Sequence, residues 1–514
     1  MEQVFESVKD IEKQLAGFIS QDEKTAEAVM IENAAVALEK YVRKACSKTK
    51  SRITVLCGSG NNGADGYTLC RRLAGSCRLN VIKVKNPKSF HCISASDNLI
   101  NVFQATSSDI YFYDLNLMQG STSVEKVISK SDVVVDCIFG TGFHGTVDSN
   151  IQKLFEVVNN SKAYRIACDI PSGLDVTGEN ISSLTLEEKK KVVFAADRTV
   201  SMLAHKIGLF SDAAKDIAGK ISVCAIGVSD SLFRLCSEKV SLNNKIYLLE
   251  KSDVKCPVRK EENVHKGKFG HICVMAGDKA GAAILSSAAG LKTGAGLASV
   301  VVNNNCDYEH FKIPASIMIS SDIPSTATAV VVGPGFGRNN DFEKVISELK
   351  IMDCPNKAFV FDADSFYYKE LIDFLIINSS EKNSCKIVLT PHPKEFANLL
   401  NLAGLGDFSV KQVCDNRLEL SRKFCEKFTD VVLVLKGANS FITVNDTTYI
   451  CNSGSSSLAK GGSGDVLSGV IASLLAQKYD ARDAAIHGVL MHALASRKVK
   501  KNYSLTPELL IENL

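Results

Sequence analysis

Short apolar segments alternate with longer amphipathic segments along most of the chain, and this alternation predicts the fold class. In the first half the apolar segments are continuous and rich in β-branched residues, as in strands buried on both faces of a sheet. Residues 22–48 have the pattern of one amphipathic helix. We predict strands at ITVLC (53–57), LNVIKV (79–84), VVVDCIF (133–139), YRIACDI (164–170), VVFAA (192–196) and ISVCAIGV (221–228).

A polar, weakly periodic stretch over 237–265 interrupts this pattern, which then begins again. The second set of predicted strands is HICVMAG (271–277), LASVVV (297–302), AVVVGPG (329–335), KAFVFDAD (357–364), KIVLTPH (386–392) and VVLVLKG (431–437). A polar helical segment is predicted over 411–428. Alternating strands and helices indicate parallel α/β sheets. The chain is therefore predicted to form two α/β domains, residues 1–238 and 245–514.

Composition and charge exclude several classes of protein. The net charge is +3 over 514 residues, so no broad basic surface for nucleic acid is expected. No apolar run reaches the roughly 18 residues of a membrane span, and the charged N-terminus does not resemble a secretory signal. The 17 cysteines are scattered without a CxxC pair, which argues against a zinc ribbon or a thioredoxin-type site. We expect a cytoplasmic protein with reduced thiols.

The segment ITVLCGSGNNGADG (53–66) places a glycine turn after a predicted strand and before a predicted helix over 66–75. Backbone N–H groups at such a helix N-terminus form an anion site. The spacing Gly58-x-Gly60-x-x-Gly63 fits a dinucleotide-binding turn, but an NAD fold adds a carboxylate about 20 residues further on. Lys83 and Lys85 lie there instead. An ordinary NAD fingerprint is therefore not supported, and the glycine spacing alone is weak.

Polar residues at other strand ends add to this turn. Asn61, Asn62 and Asp65 supply oxygen ligands, although these residue types also simply tolerate turn geometry. Asp136 precedes a second glycine turn, and Asp169 lies at the end of a later strand. Ligands of open α/β sheets bind at the carboxyl ends of strands, so these segments should converge. Buried carboxylates are costly there unless they are paired or bound to a cation.

Five segments together resemble the NAD(P)H-hydrate epimerase family over about the first 230 residues: MIENAA (30–35), GSGNNGADG, VVDCIFGTGFHG, DIPSGLDVTG and TVSMLAHKIG (199–208). The resemblance implies a Rossmann-like, three-layer α/β/α domain that binds hydrated NADH or NADPH, with K⁺ nearby. The family usually has glycine where Ala35 and Ala64 stand. The residues implied to contact the hydrate are Asn61, Asn62, Gly63, Ala64, Asp65, Gly140, Thr141, Gly142, Phe143, His144, Gly145, Thr146 and Asp169. Those implied to hold K⁺ are Asn62, Asp136 and Ser172.

Epimerisation requires a group that moves a proton near the C6 hydroxyl of the hydrated nicotinamide ring. The hydroxyl leaves and returns while the ring nitrogen stabilises the cation, and a general acid/base assists both steps. We expect Asp169 to be this group. Lys206 is a second candidate, although a lysine in this position would ordinarily be exposed.

A second glycine turn, GGSGDVLSG (461–469), opens a helix near the end of the chain and places Asp465 at its mouth. The backbone amides would hold a transferring phosphate while the aspartate takes a proton from an acceptor hydroxyl. The alternative is that Asp465 only caps the helix. The absence of GxxxxGK[ST] in the sequence argues against a P-loop enzyme.

The GxGD motif resembles the ribokinase-like superfamily, and the ADP/ATP-dependent NAD(P)H-hydrate dehydratase in particular, over about 250–500. The other matching segments are HKGKFGHICVMAGD (265–278), GAAILSSAAGLKTGAGL (281–297), VVGPGFG (331–337), FDADSF (361–366), LTPHPKEFANLL (389–400) and VLKGANS (434–440). Lys394 replaces the usual glycine. The residues implied to contact the hydrate are Ala282, Gly335, His392 and Asp465, with Asp465 catalytic. Those implied to hold the nucleotide are Lys436, Gly437, Ala438, Asn439, Ser440 and Gly464. Asp362 and Asp364 stay unassigned.

Together the resemblances imply a bifunctional repair enzyme that epimerises (R)- and (S)-NAD(P)H-hydrate and dehydrates the S epimer. The dehydratase would use ADP with Mg²⁺, giving AMP, phosphate and NADH or NADPH; ATP is the alternative nucleotide. We expect a homo-oligomer whose partners are NADH-hydrate, NADPH-hydrate and ADP, with no nucleic acid or membrane. Two other functions stay open: a small-alcohol kinase in the second half, and a non-catalytic binding module in the first.

Overall fold

The computed structural model describes residues 1–46, 51–106, 108–302, 312–352, 357–380 and 385–514. They divide into two compact units, which we call the first domain (Gln3–Asn244) and the second domain (Lys245–Leu514 with Met1–Glu2). Within the described ranges, no helix combines the length and the apolar character needed to cross a membrane.

The first domain contains a parallel sheet of seven strands in the order β4-β3-β2-β5-β6-β7-β9, and a separate parallel pair, β1 with β8. Its strands are β1 (Glu2–Phe5), β2 (Arg52–Cys57), β3 (Arg78–Lys83), β4 (Ile110–Asp114), β5 (Val133–Cys137), β6 (Tyr164–Cys168), β7 (Arg198–Met202), β8 (His205–Lys206) and β9 (Lys220–Cys224). Its helices are α1 (Lys9–Ile19), α2 (Glu23–Ala45), α3 (Asn61–Leu73), α4 (Phe90–Thr106), α5 (Val124–Ile128), α6 (Ser149–Asn159), α7 (Leu186–Val192) and α8 (Asp230–Asn243).

Both faces of this sheet are buried, as the continuous apolar strands predict. In β2, Ile53 and Val55 pack into the core beneath α1 to α4, whereas Leu56 packs into the core beneath α5 and α6. Buried cysteines such as Cys57 and Cys137 fill the first of these cores as small apolar residues. The result is the predicted three-layer α/β/α arrangement.

Two predictions for this domain are wrong in detail. VVFAA (192–196) is not a strand: α7 ends at Val192, and a buried irregular connection follows. The segment is apolar and buried, but its backbone forms hydrogen bonds outside the sheet. Phe194 N–H, for example, donates to the Ser172 carbonyl at 2.9 Å. The helix after the first glycine turn begins at Asn61 rather than Gly66, so GSGNNGADG supplies the first helical turns.

The second domain contains a sheet with the strand order β13-β12-β11-β14-β15-β16-β17-β18-β19-β10. Its strands are β10 (Ile246–Leu248), β11 (His271–Met275), β12 (Leu297–Val301), β13 (Met318–Ser320), β14 (Ala329–Val332), β15 (Ala358–Phe361), β16 (Lys386–Leu389), β17 (Val431–Leu435), β18 (Ser440–Val444) and β19 (Thr447–Cys451). Its helices are α9 (Ala280–Lys292), α10 (Phe342–Ile351), α11 (Lys369–Ser380), α12 (Pro393–Leu402), α13 (Val410–Asp415), α14 (Arg417–Lys427), α15 (Ser463–Ala476), α16 (Ala481–Ser496) and α17 (Pro507–Glu512).

The predicted strands of this domain run parallel from β11 to β17, but the sequence did not indicate the antiparallel run of β17, β18 and β19. The polar helix predicted over 411–428 is divided at Asn416 into α13 and α14. Small residues of α9 and α15 let these helices pack closely: a Cβ at Gly469 would lie 2.0 Å from the Ser286 carbonyl oxygen. Fourteen of the described cysteines are free, as expected, whereas Cys385 is disulfide-bonded.

Candidate active sites

The strand order of the first domain reverses between β2 and β5, and the loops after these strands meet there. Gly58 N–H donates to the Cys137 carbonyl at 2.9 Å. A Cβ at Gly58 would lie 1.9 Å from the Ile138 carbonyl oxygen, so only glycine permits this approach. A crevice at the carboxyl ends of strands, where the order reverses, is the usual ligand site of an open α/β sheet.

A cavity of about 820 Å³ opens at this point and brings most of the predicted hydrate-contacting residues together. Gly60 precedes α3 without a side-chain cap, so the first N–H groups of this helix stay free for a ligand. The predicted residues that line the cavity are Asn61, Asn62, Asp65, Gly140, Thr141, Gly142, Phe143, His144, Thr146 and Asp169. Gly63, Ala64 and Gly145 are not part of its wall. Ala64 is a fully buried helical residue of the core, so its extra methyl group is accommodated.

Asp169 is held by two donors in a strained backbone conformation. Its φ is +67°, a left-handed value that costs energy and clusters at functional sites in proteins. Its Oδ1 accepts hydrogen bonds from Met202 N–H at 3.0 Å and Lys206 Nζ at 2.5 Å. Lys206 is only 2% exposed, so the expectation of an exposed lysine at this position is wrong. It also donates to the Met202 carbonyl at 2.8 Å and the Ser201 hydroxyl at 3.2 Å.

The predicted K⁺ ligands adjoin one another beside this cavity. Ser172 binds the buried Asp136 carboxyl twice, through its hydroxyl at 2.7 Å and its N–H at 2.8 Å. Burial raises the pKa of Asp136 to about 6, while the bonds from Ser172 and Ile138 N–H act in the opposite direction. Asn62 donates to the Phe139 carbonyl at 2.9 Å, and its buried Oδ1 has no hydrogen-bond partner among the described residues. A buried carboxyl and an unpartnered amide oxygen suit a monovalent cation.

Among the other carboxyl groups that line the same cavity, Asp65 and Glu12 have raised pKa values. Burial and then the nearby charge of Asp169 raise the pKa of Asp65 well above its usual range. Glu12, on α1, was not identified from the sequence because α1 has the pattern of an ordinary amphipathic surface helix. Burial, followed by the charge of Asp169, raises the pKa of Glu12 to about 7.

The strand order of the second domain reverses between β11 and β14, where two of its predicted hydrate residues meet. Gly335 has a φ of +63°, and a Cβ there would lie 3.0 Å from Ala282 Cβ. The Gly335 carbonyl accepts a hydrogen bond from Lys279 N–H at 2.9 Å, which ties the two loops together. Glycine is required here because the left-handed backbone and the close contact both exclude a side chain.

Asp465 lies in the first turn of α15, whose N-cap residue is Gly462. Asp465 is therefore not the N-cap residue of α15, as the alternative interpretation of this motif required. Burial and then the nearby charge of Asp362 raise the pKa of Asp465 to about 6, while Lys436 opposes the shift. Ser463 N–H donates to the Lys460 carbonyl at 3.3 Å, and the N-terminus of α15 beyond it provides a site for a phosphate beside this carboxyl.

Asp362 joins this site although the sequence did not assign it. It is 1% exposed, and its Oδ1 lies 2.8 Å from Lys436 Nζ while its Oδ2 accepts from the Ser468 hydroxyl at 2.7 Å. Burial alone would raise the pKa of Asp362, but the charge of Lys436 and the hydrogen bonds with Lys436, Ser468 and Thr390 together lower it. A Cβ at Gly464 would lie 3.5 Å from Lys436 Nζ, so the glycine turn adjoins this ion pair. Asp364 instead accepts from Gly337 N–H at 2.9 Å.

His392 is the N-cap residue of α12 and forms a capping box with Glu395. The His392 Nδ1 accepts from Lys394 N–H at 3.1 Å, and the His392 backbone N–H donates to Glu395 Oε2 at 2.8 Å. Lys394 lies within the first helical turn, where no glycine is needed. Glu395, which the sequence did not indicate, lies 3.9 Å from Lys436 Nζ and links His392 to the pair of Lys436 with Asp362.

The predicted nucleotide residues after Lys436 form the tight connection between the antiparallel strands β17 and β18. Gly437 and Ala438 are exposed at its tip, Asn439 is buried, and Ser440 begins β18. Lys436 N–H donates to the Pro391 carbonyl at 2.9 Å, so this turn lies beside the loop that carries His392. Lys436, Asp362, Gly464 and Asp465 therefore surround one point at the carboxyl ends of the strands.

Comparisons with known proteins agree with this division. A family model described as YjeF-related protein N-terminus matches residues 27–208, and one described as NAD(P)H-hydrate dehydratase matches residues 272–514. The bifunctional NAD(P)H-hydrate repair enzyme Nnr of Helicobacter pylori is 37% identical over 99% of both chains. The Coxiella burnetii enzyme of the same name is 30% identical over 86% of this chain and 85% of its own. A solved Bacillus subtilis ADP/ATP-dependent NAD(P)H-hydrate dehydratase covers 52% of this chain and 95% of its own, with 20% identity and a TM-score of 0.43.

Proposed function

The chain belongs to the family of bifunctional NAD(P)H-hydrate repair enzymes, and from this premise we propose which residues carry each step. The first domain epimerises (R)- and (S)-NAD(P)H-hydrate, and the second dehydrates the S epimer with a nucleotide. The observation that carries this assignment is that carboxyl groups meet beside a helix N-terminus in each domain: Asp65 and Asp169 at α3 in the first, and Asp362 and Asp465 at α15 in the second.

In the first domain, the hydrate occupies the 820 Å³ cavity, with its ring beside Asp169. Asn61, Asn62 and the loop Gly140–Thr146 contact the ligand, and the N-terminus of α3 receives its phosphates. The Lys206 ammonium donates to Asp169 Oδ1 and keeps this carboxylate positioned to accept a proton. The ring nitrogen lone pair stabilises the cation formed when the C6 hydroxyl leaves.

Asn62, Asp136 and Ser172 fit a K⁺ ion because they offer an unpartnered amide oxygen, a buried carboxyl and a hydroxyl in one cluster. Bound K⁺ would supply positive charge beside the hydrate. The Asn62 side chain connects this cluster to the cavity wall. It donates to the Phe139 carbonyl, and both residues line the cavity.

In the second domain, Asp465 removes the proton from the C6 hydroxyl as that oxygen attacks the terminal phosphate of the nucleotide. The first N–H groups of α15 hold the transferring phosphate. The ring nitrogen then expels phosphate from C6, a far better leaving group than hydroxide. Loss of a proton from C5 restores the double bond of NADH or NADPH.

Lys436 and the turn Gly437–Ser440 would hold the nucleotide, with Gly464 leaving room for it beside the helix. Lys436 keeps its charge despite burial, because Asp362 and Glu395 raise its pKa. We favour ADP over ATP. Within the described residues, no cluster of three or more acidic, histidine or cysteine side chains is placed to hold a metal ion. Mg²⁺ would therefore be bound mainly by the nucleotide phosphates, whose charge it neutralises. The homo-oligomeric state stays a prediction.

The two activities can be tested separately on the full chain. Without nucleotide, conversion of pure (R)-NADH-hydrate to the S epimer, followed by chromatography, measures the first domain alone. With (S)-hydrate, Mg²⁺ and either ADP or ATP, recovery of reduced nicotinamide measures the second and identifies its nucleotide. Nucleotide consumption without NADH formation would instead indicate the kinase of a small alcohol.

A further inference from the structure

One face of α1 forms part of the epimerase cavity wall. Lys9, Glu12, Lys13 and Ala16 line the cavity, at the spacing of neighbours on one side of a helix. Ile11 and Leu15 of the same helix are fully buried in the core. This packing fixes the rotation of α1, and with it the direction of the Glu12 side chain.

Glu12 and Asp169 face the same space but differ in their partners. Asp169 accepts hydrogen bonds from Met202 N–H and the Lys206 ammonium, an arrangement that suits a carboxylate. The Glu12 carboxyl has no hydrogen-bond or salt-bridge partner among the residues that the structure describes. Burial and the charge of Asp169 favour its protonated form, whereas Lys206 and Lys9 favour the charged form. A carboxylate held by two donors and an unbonded, partly buried carboxyl in one cavity are suited to separate base and acid roles.

We propose that Glu12 is a second catalytic group of the first domain, which protonates the departing C6 hydroxyl while Asp169 serves the opposite step. This proposal rests on the proposed epimerase function. The C6–O bond breaks as Glu12 gives its proton to the leaving oxygen, forming water, a Glu12 carboxylate and a C6–N1 iminium. Water then adds to the other face of C6, and Asp169 takes its proton. The enzyme is left with Glu12 charged and Asp169 protonated, the form that serves the reverse direction or exchanges its proton with solvent.

The other carboxyl groups around the cavity are less suited to this role. Asp65 is 8% exposed and accepts from the Cys168 thiol at 3.6 Å. Glu27 lies 2.8 Å from His91 Nε2, and Asp148 lies 3.5 Å from Lys85 Nζ. The titratable groups that face Glu12 or line its cavity are Lys9, Lys13, Glu23, Glu27, Asp65, Lys85, His144, Asp148, Asp169 and Lys206. Compared with the carboxyl groups in this set, Glu12 combines partial burial with a carboxyl that has no hydrogen-bond partner among the described residues.

The test measures epimerisation of pure (S)-NADH-hydrate by the full chain. No nucleotide is added, so the dehydration reaction does not proceed. Glu12→Gln keeps the size of the side chain but removes its acidic proton. We expect its kcat for epimerisation to fall about 100-fold or more, with KM changed less than about threefold. Asp10→Asn is the matched control, because Asp10 is an exposed acid on the same helix outside this cavity. It should epimerise like the wild type, and both variants should dehydrate (S)-hydrate normally when nucleotide is added.

The pH profile separates a proton donor from a merely structural carboxyl. The wild-type rate should fall as pH rises through about 7, because Glu12 then loses the proton it donates. Glu12→Gln should lack this limb. Glu12→Asp, which keeps the acid one methylene shorter, should retain the limb at a lower rate, and its absence there would overturn the proposal even if Glu12→Gln failed to fold.

Other outcomes would also overturn the role of Glu12. They are a Glu12→Gln variant that epimerises within about threefold of the wild type, or one in which only KM changes. If the wild-type chain itself does not epimerise the hydrate, the proposed function of the first domain fails instead, and the two failures are thereby distinguished.

Discussion

Lys206 Nζ lies 2.5 Å from Asp169 Oδ1, and this ion pair is built from two segments that are far apart in the sequence. Asp169 follows β6, whereas Lys206 ends β8. The lysine is nearly inaccessible, so its charge depends on Asp169, Ser201 and the Met202 carbonyl for compensation. The pair couples the stability of the first domain to the placement of its candidate catalytic carboxylate.

Breaking this pair from one side should destabilise the first domain. Asp169→Asn leaves a buried ammonium without its counter-charge, and we expect the free energy of unfolding to fall by about 3 kcal/mol. The double variant Asp169→Asn/Lys206→Met should recover part of this loss, because both charges are then removed. Calorimetric unfolding of the full chain measures the effect. Losses that simply add in the double variant would contradict a coupled pair.

Asp465→Asn should abolish most dehydration while leaving epimerisation unchanged. Asparagine cannot accept the hydroxyl proton, so we expect the dehydration rate to fall about 10²–10⁴-fold. In the wild type, kcat/KM for dehydration should fall as pH drops through about 6, because the base becomes protonated. Rates measured with pure (S)-hydrate and saturating nucleotide check both points. A variant that retains the wild-type rate would assign the proton transfer to another group.

Asp465 should lower the free energy of unfolding of the second domain at neutral pH. The folded-state pKa of Asp465 is raised to about 6 from the ordinary 3.8. The folded state therefore binds this proton more tightly than the unfolded chain, and the stabilisation present at low pH is lost as pH rises through about 6. At pH 8, Asp465→Asn should raise the free energy of unfolding of the second domain by about 1–2 kcal/mol. At pH 3 the difference should largely disappear, and a constant difference would exclude this cause.

A monovalent-cation requirement should depend on the cluster of Asn62, Asp136 and Ser172. Epimerisation by the wild type should be faster in KCl than in choline chloride of the same ionic strength. Asp136→Asn should remove this difference, because it removes the buried charge that attracts the cation. Dehydration measured in parallel, with (S)-hydrate, controls for general salt effects. A rate that does not respond to K⁺ in the wild type would argue against a cation at this site.

The sequence predicts the carboxyl ends of strands well, because glycine turns and acidic residues after apolar segments identify these positions directly. Asp136, Asp169 and Asp465 all lie where the alternating pattern places them. The pattern fails for VVFAA (192–196), since an apolar segment records burial and not whether its backbone partners belong to a sheet.

Side chains that reach a site from distant segments could not be found in this way. Glu12 lies on a helix with an ordinary amphipathic pattern, and Glu395 is identifiable locally only as part of a capping box. The burial of Lys206 depends on Asp169, which lies 37 positions earlier. Asp362 sits at a predicted strand end, but only its contacts with Lys436 and Ser468 show that it belongs to the site. Such roles follow from tertiary packing, which single-sequence periodicity does not record.

The most direct test of the two activities together is recovery of NADH from racemic hydrate by the full chain with Mg²⁺ and ADP. The time course must be short, so that spontaneous epimerisation stays small, and Asp169→Ala provides the comparison. We expect complete recovery by the wild type and recovery that stalls near half in the variant. Stalling near half in both would make the first domain a binding module. No recovery with either ADP or ATP would contradict the repair function of the second domain.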